Sequence, residues 1–246
     1  KRGTSHYFHG TAIAMLPDTL SQHAALKPLE DRNAVVCRLT VSAAGEVTQA
    51  EIVLALIQSK AKLSYPEVED VLQEKAQHAF TDELSHLQNC FRALRQRREA
   101  CELVIEHRPE HRWIMNDEKQ ISSIERVEKK SSQLLVEECM VAANRAIANA
   151  LKEAQRPGPF VTHAGIRRDR AEEAQEFLKR YQPDLEGLEF STLEGFRTLI
   201  TALNASRDER PLRSMVNRLM ARASLSIKPA PHMGMALSLY TNGTSP

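Results

Sequence analysis

The chain has 246 residues, 42% of them hydrophobic and 26% charged, with 33 basic residues against 32 acidic ones. That length is enough to bury a real core. The even balance excludes both a disordered polar chain and a protein that attracts polyanions by bulk positive charge. No apolar run approaches the ~20 residues of a membrane-spanning helix, and no secretory leader pattern opens the chain. The cysteines, Cys37, Cys90, Cys101 and Cys139, contain no CxxC or CxC pair. Scattered thiols fit reduced cysteines in a cytoplasmic protein better than a zinc or disulfide framework. The chain starts at Lys1, not at Met, and is expected to be a fragment, a processed chain or a trimmed one.

Residues 1–33, punctuated by Gly3, Gly10, Pro17 and Pro28, are expected to be loop and turn. Ala34 to Val41 reads as a strand, Ala44-Gly45 as its turn, and Val47 to Ile57 as a second strand whose end, Ile52 to Ile57, is apolar enough to be buried. Pro66 suits a first helical position, with Val68, Val71 and Leu72 as the stripe behind it. Thr81 suits an N-cap for a helix carrying Leu84, Leu87, Phe91 and Leu94 and ending in the basic stretch Arg92 to Arg98.

Leu103-Val104-Ile105 reads as a short strand, and Trp113 to Met115 with Ile121 to Val127 as a hairpin around Asn116 to Lys119. Leu135, Met140, Ala143, Ile147 and Leu151 mark a long amphipathic helix that Pro157-Gly158 stops. Arg-rich helices are expected over 169–181 and 209–225, with a Thr192-capped helix between them. Strands thus concentrate in the first half and helices in the second. The Arg-rich runs are interleaved with Glu172, Glu173 and Glu209 and read first as solvated faces.

Four stretches carry more than secondary structure. They are Tyr7 to Pro17, YFHGTAIAMLP, followed by Leu20-Ser21; Ser59 to Tyr65, SKAKLSY; Leu135 to Asn144, LVEECMVAAN; and His232 to Pro246, HMGMALSLYTNGTSP. In that order and at those separations they resemble the catalytic RNB domain of the ribonuclease II family, nearly end to end. The resemblance implies an α+β fold, a mixed sheet flanked by helices, with residues 1–246 as the interior portion of a single catalytic domain. The small RNA-binding β-barrel domains that flank it in the family are not expected within these residues.

The implied activity is 3′→5′ exoribonuclease hydrolysis of single-stranded RNA to nucleoside 5′-monophosphates, with magnesium as cofactor, by a monomer. In the family the metal is held by an aspartate cluster of the form DxxxxDxDD, upstream of the tyrosine that matches Tyr7. An arginine pair and a further aspartate follow TSP. Here the eight aspartates, Asp18, Asp31, Asp70, Asp82, Asp117, Asp169, Asp184 and Asp208, are dispersed. Two-metal phosphoryl chemistry needs several carboxylates converging on ions about 3.5–4 Å apart. The expectation is therefore no metal ligand and no catalytic residue within this chain, and no hydrolysis by it alone.

The resemblance also assigns residues. Tyr7 matches a tyrosine that stacks on RNA, against the plainer reading of a loop tyrosine packed on the core. Tyr65 matches a position that shapes the cleft near the 3′ end. Lys60 and Lys62 would share a face if SKAKLSY were a strand, and so reach phosphates, against the reading of a solvated basic face. Glu137 would hydrogen-bond the RNA near its end through a 2′-hydroxyl, where the plainer reading is a first-turn carboxylate facing the helix dipole.

Ile105 stands where the family places a second stacking aromatic, so an aliphatic side chain replaces a π platform. Gly243 stands where a bulky residue is usual. His163, in FVTHAG, lacks the arginine expected two positions before it; it is an RNA-binding candidate beside the reading of a satisfied structural histidine. Tyr240, Thr244 and Ser245 fall near the active site by family position. The competing reading is a non-catalytic RNA-binding or scaffold protein that retains the fold.

Overall fold

The computed structural model describes residues 5–8, 11–103, 110–116, 118, 120–206 and 212–243. Within them the α+β expectation holds. The strands form four two-stranded antiparallel ribbons. These are β1 (His6–Phe8) with β2 (Thr11–Ile13), β3 (Asp31–Val41) with β4 (Val47–Gln58), β5 (Glu110–Met115) with β6 (Ile121–Val127), and β7 (Phe160–Thr162) with β8 (Ser224–Ser226). Parallel pairing enters at isolated bridges, Pro28 with Ser59 and His163 with His232. The helices are α1 (Asp18–Ala24), α2 (Tyr65–Leu72), α3 (Thr81–Cys101), α4 (Ser131–Glu153), α5 (Ala171–Tyr181), α6 (Leu193–Ala205) and α7 (Leu212–Asn217).

Residues 1–33, expected to be irregular, contain β1, β2 and α1 among the described residues. None of the three has a buried residue, so no apolar periodicity was available to announce them. The β3–β4 ribbon follows the expected strands closely, pairing Ala34 with Ala55 and Val36 with Val53. Its end is not buried as Ile52 to Ile57 suggested: Leu54 is 86% and Leu56 66% exposed. Side chains alternate across a strand, and a ribbon of two strands laid on a helical body has only one face covered.

Gly45 closes the ribbon's turn with φ +75°, and an added Cβ there would stand 2.1 Å from the carbonyl oxygen of Ala93 on α3. The Arg97–Glu46 ion pair at 2.9 Å seals the same contact. The turn is thereby pressed onto the middle of α3.

The helix α2 starts one residue before Pro66 and is closed by a capping box. Ser64 accepts from the Glu67 N–H, Glu67 accepts from the Ser64 N–H, and Pro66 occupies the first turn. For α3 the cap position falls on Phe80. Thr81 turns its hydroxyl back to His78, accepting from the N–H at 2.9 Å and donating to the carbonyl at 2.8 Å.

The main core lies in the C-terminal lobe, where Phe177 and Leu178 of α5, Phe196 and Leu199 of α6, and Leu212 and Val216 of α7 interlock. Thr192 caps α6 by accepting from Gly195 N–H at 3.1 Å. The helix expected over 209–225 ends at Asn217. Beyond it Ala221 N–H donates to Gly165 carbonyl and Ser224–Ser226 pairs with β7, so strand bonding to residues 160–165 takes the backbone groups a helix would have used. Leu103, the one described member of the strand expected at Leu103-Val104-Ile105, donates its N–H to Met235 carbonyl.

The turn at Gly45 gives the first prediction. Gly45→Ala combines a left-handed backbone with a clash against α3 backbone, and is expected to lower stability by roughly 2 kcal/mol or more, read as a fall in the urea midpoint at unchanged slope.

Candidate functional site

The helix α4 organises the polar residues of the molecule. It starts against α2: Glu69, 6% exposed, accepts from the Ser132 N–H at 2.9 Å and from the Gln73 amide at 2.7 Å. Burial pushes the Glu69 carboxyl up, but these hydrogen bonds and the nearby Lys130 charge outweigh it and hold the group below its ordinary value. A carboxylate at this place also meets the positive end of the helix dipole.

One face of α4 meets α3 through charge. Glu138 is 1% exposed and accepts from Arg98 Nη1 on both carboxylate oxygens at 2.7 Å, with Arg95 Nη1 at 3.1 Å. Arg95 also holds Glu99 at 2.7 Å, while Arg145 holds Glu102 at 2.6 Å. Burial pushes Glu102 up against the pull of Arg145 and Arg98. Positive and negative groups therefore alternate through the contact. Beside it a groove of about 790 Å³ opens between the β3–β4 turn and helices α3 and α4, with Arg97, Arg98, Glu138, Arg145 and Asn149 on its walls.

A second face of α4 grips the C-terminal segment. Val141 packs on Met235 and Leu237, and Ala148 on Phe160 and Leu239. Between them Asn144, 2% exposed, donates its amide to the Tyr240 hydroxyl at 2.9 Å and accepts from the Gly243 N–H at 3.0 Å. A Cβ on Gly243 would stand 2.5 Å from the Ile147 Cδ1, so this close approach uses the glycine that departs from the family pattern.

The same segment is held from the other side by two histidines. His163 and His232 stack with centroids 5.5 Å apart, and Tyr240 meets His232 edge-on at 5.9 Å. His163 Nδ1 accepts from the Gly165 N–H, and the His163 backbone bonds Pro231 and Met233. Burial lowers both imidazoles, helped by Arg213 for His163 and by His163 for His232.

The residues singled out in the sequence fall into three groups. Tyr240 and His163 are brought together by the C-terminal segment, as just described. Glu137 lies on α4 seven residues before Asn144, on the same face but toward the helix start, and pairs with Lys129 at 3.0 Å. It sits in the second turn, beyond the first-turn dipole effect offered as its plain reading.

Tyr7 is 81% exposed on β1, and Phe8 beside it is 61% exposed. Tyr65 is the first residue of α2 and 48% exposed, and thus is not packed away. Lys60 and Lys62 are exposed but lie on irregular chain, so no strand parity aligns them; Lys60 Nζ donates to Gln58 at 2.9 Å. Ile105, Thr244 and Ser245 lie outside the described residues.

Two residues that organise the site, Arg98 and Asn144, were not singled out, and Glu138 reads from sequence, like Glu137, as a first-turn carboxylate facing the helix dipole rather than as a buried ion. A signal existed for Arg98, which falls four residues after Leu94 and so continues the apolar stripe of α3 into the interior. Among the described residues no three His, Cys, Asp or Glu side chains come together as metal ligands. No described helix is long and apolar enough to cross a membrane.

The RNB domain family profile matches residues 1–246. The protein described as Exoribonuclease 2 of Erwinia tasmaniensis is 31% identical over an alignment that covers 100% of this chain and 39% of that protein. Ribonuclease R of Vibrio parahaemolyticus is 30% identical, with 100% of this chain and 30% of that protein covered. The chain thus spans well under half the length of these relatives. Among solved structures, Mycoplasma genitalium RNase R in complex with ribose-methylated single-stranded RNA superposes with a TM-score of 0.84 at 20% identity, covering 99% of this chain and 39% of that one. That last likeness is one of fold.

Two outcomes follow from the site's geometry. Glu138→Gln leaves Arg98 buried without a full counter-charge and is expected to cost about 3 kcal/mol, whereas Glu137→Gln, one residue away in a part-exposed pair, is expected to cost under about 1 kcal/mol; chemical denaturation of both separates the roles. The histidine pair gives a pH dependence. Both groups titrate lower in the folded chain than the ordinary 6.5, so the unfolded chain binds more protons just below that value. Their contribution is intact above pH 6.5 and is lost as the pH falls below it. His232→Gln is expected to flatten the drop in melting temperature across that range.

Proposed function

Because the chain belongs to the RNB domain family, we propose that the protein carrying it is a hydrolytic 3′→5′ exoribonuclease that degrades single-stranded RNA to nucleoside 5′-monophosphates. The observation that carries this reading is the end-to-end match to relatives described as Exoribonuclease 2 and Ribonuclease R. The reaction is expected to use magnesium, whose ligands the described residues do not supply, so the part assigned to this chain is to hold and guide the RNA.

In this reading Tyr7 offers an exposed ring on which any base can stack, a contact worth ~1–3 kcal/mol per base. Tyr65 borders the 3′ end, and exposed Lys60 and Lys62 meet phosphates. Glu137 accepts from a ribose 2′-hydroxyl; an acid gains nothing from the charge of a polyanion, so this contact serves to tell RNA from DNA. Asn144 grips Tyr240 and Gly243, and Tyr240, Thr244 and Ser245 belong near the reacting end by family position. His163 supports the same segment and is a lesser RNA contact, since its Nδ1 is already engaged by Gly165. A monomer in the cytoplasm completes the proposal.

The test is degradation of a labelled single-stranded RNA, with magnesium and with EDTA, by the product of the complete gene and by the 246-residue chain. Magnesium-dependent release of 5′-mononucleotides by the former, with binding but no cleavage by the latter, is the expected result. Tight binding without release by the complete product would replace the enzyme with a non-catalytic RNA-binding protein, and turnover by this chain alone would place the reacting centre within it.

A further inference from the structure

Among the described residues the hairpin β5–β6 packs chiefly on itself. It carries the chain's single tryptophan, Trp113, which is 61% exposed. In the ladder Trp113 lies opposite Ile124, also 61% exposed, and His111 lies opposite Arg126. Residues directly opposite in a ladder project to one face, as do residues two apart on a strand. One face therefore presents an indole and an isoleucine next to an imidazole and a guanidinium. The neighbouring carboxylate of β6, Glu125, belongs to the other face.

An aromatic–aliphatic pair across two strands steadies a hairpin by ~0.2–1 kcal/mol, and that alone accounts for the two standing opposite each other. It does not account for a ring of this size left facing outward beside the His111–Arg126 pair. Arg126 pairs with Glu128 at 2.9 Å, and both side chains are well over half exposed. Such a pair holds with at most ~1 kcal/mol, so the guanidinium is readily exchanged to a phosphate. Past Ile124 the strand runs into Lys129 and Lys130 at the foot of α4, where Lys129 meets Glu137. The charge on this path suits a polyanion, and the indole suits a base.

We infer that the Trp113 face of the β5–β6 hairpin is a stacking platform for single-stranded RNA, with Trp113 and Ile124 under a base and Arg126 and His111 at the flanking phosphates. This rests on the RNA reading and adds a contact outside the residues it uses. A base on the indole is worth ~1–3 kcal/mol, and one phosphate neutralised on a single strand contributes about 0.7 to the slope of log affinity against log salt.

The single tryptophan makes the test direct. An oligoadenylate of ~10 nucleotides, with a terminal fluorophore, is titrated against the 246-residue chain in EDTA while fluorophore anisotropy and tryptophan emission are both followed. The expected result is a saturable loss of Trp113 emission, and protection of the indole from acrylamide, with the same midpoint as the anisotropy. Trp113→Ala should weaken binding roughly 5- to 150-fold, Trp113→Phe should keep most of the affinity, and Arg126→Gln should reduce the salt slope by about 0.7.

RNA binding that leaves Trp113 emission unchanged, or that Trp113→Ala leaves at wild-type strength, overturns the platform while the RNA reading stands. A blue shift of emission on self-association without RNA overturns it in favour of a protein contact. No RNA binding at all overturns both. The wild-type emission decides even if the alanine variant fails to fold.

Discussion

The buried carboxylate of Glu138 constrains how α3 and α4 can sit. An ionised group with essentially no exposure is tolerable only where opposite charge and hydrogen bonds surround it, and both come from Arg95 and Arg98 on α3. Neither helix can slide or rotate without stranding a charge. The contact is also directional in a way that apolar packing is not, since charge-assisted hydrogen bonds from two arginines converge on one carboxylate. What α3 carries is thus carried in register with α4: the β3–β4 turn pressed on Ala93 at its middle, and the Leu103 bond to Met235 just past its end.

From this fixed pair the rest of α4 acquires its roles by helical geometry. Glu137 and Glu138 are chemically identical neighbours, yet a step of about 100° around the helix puts one in the interior and leaves the other partly open beside Lys129. Asn144 lies on the Glu137 side, and there both ends of its amide are engaged by the C-terminal segment. The helix is therefore a strut with a structural side made of charge and a working side made of hydrogen bonds. A change on the first should cost stability and a change on the second should cost alignment.

The sequence made the helical body legible because its apolar periodicity is strong: the stripes of α3, α4 and α6 and the caps at Ser64 and Thr192 all have local causes. The family resemblance was carried by motifs, and those motifs brought Tyr240 and Glu137 into view. Three features were hidden for physical reasons. The β1–β2 ribbon and α1 bury nothing, and so leave no pattern. The end of the helix expected over 209–225 was decided by pairing with β7, a partner some 60 residues distant in the chain. Glu138 reads as an ordinary surface acid, because its burial depends on arginines about 40 positions away. Only Arg98, continuing the Leu84–Leu94 stripe, gave local notice that a charge would be drawn inside.

The exposed aromatics follow the same division. Tyr7, Phe8 and Trp113 all lie on two-stranded ribbons, which are too thin to shield both faces and are marginally stable alone. A helix can hide its apolar stripe against a neighbour; a ribbon standing off the body must leave one side to solvent. Large rings in such places gain little from folding, so their outward faces remain available to a base without any rearrangement of the core. Charge thus locks helices together inside this molecule, while the rings of Tyr7, Phe8 and Trp113 are left exposed on two-stranded ribbons. On the RNA reading proposed above, a chain whose net charge is only +1 would hold its polyanion by that arrangement, with stacking supplying affinity and a few placed cations supplying register.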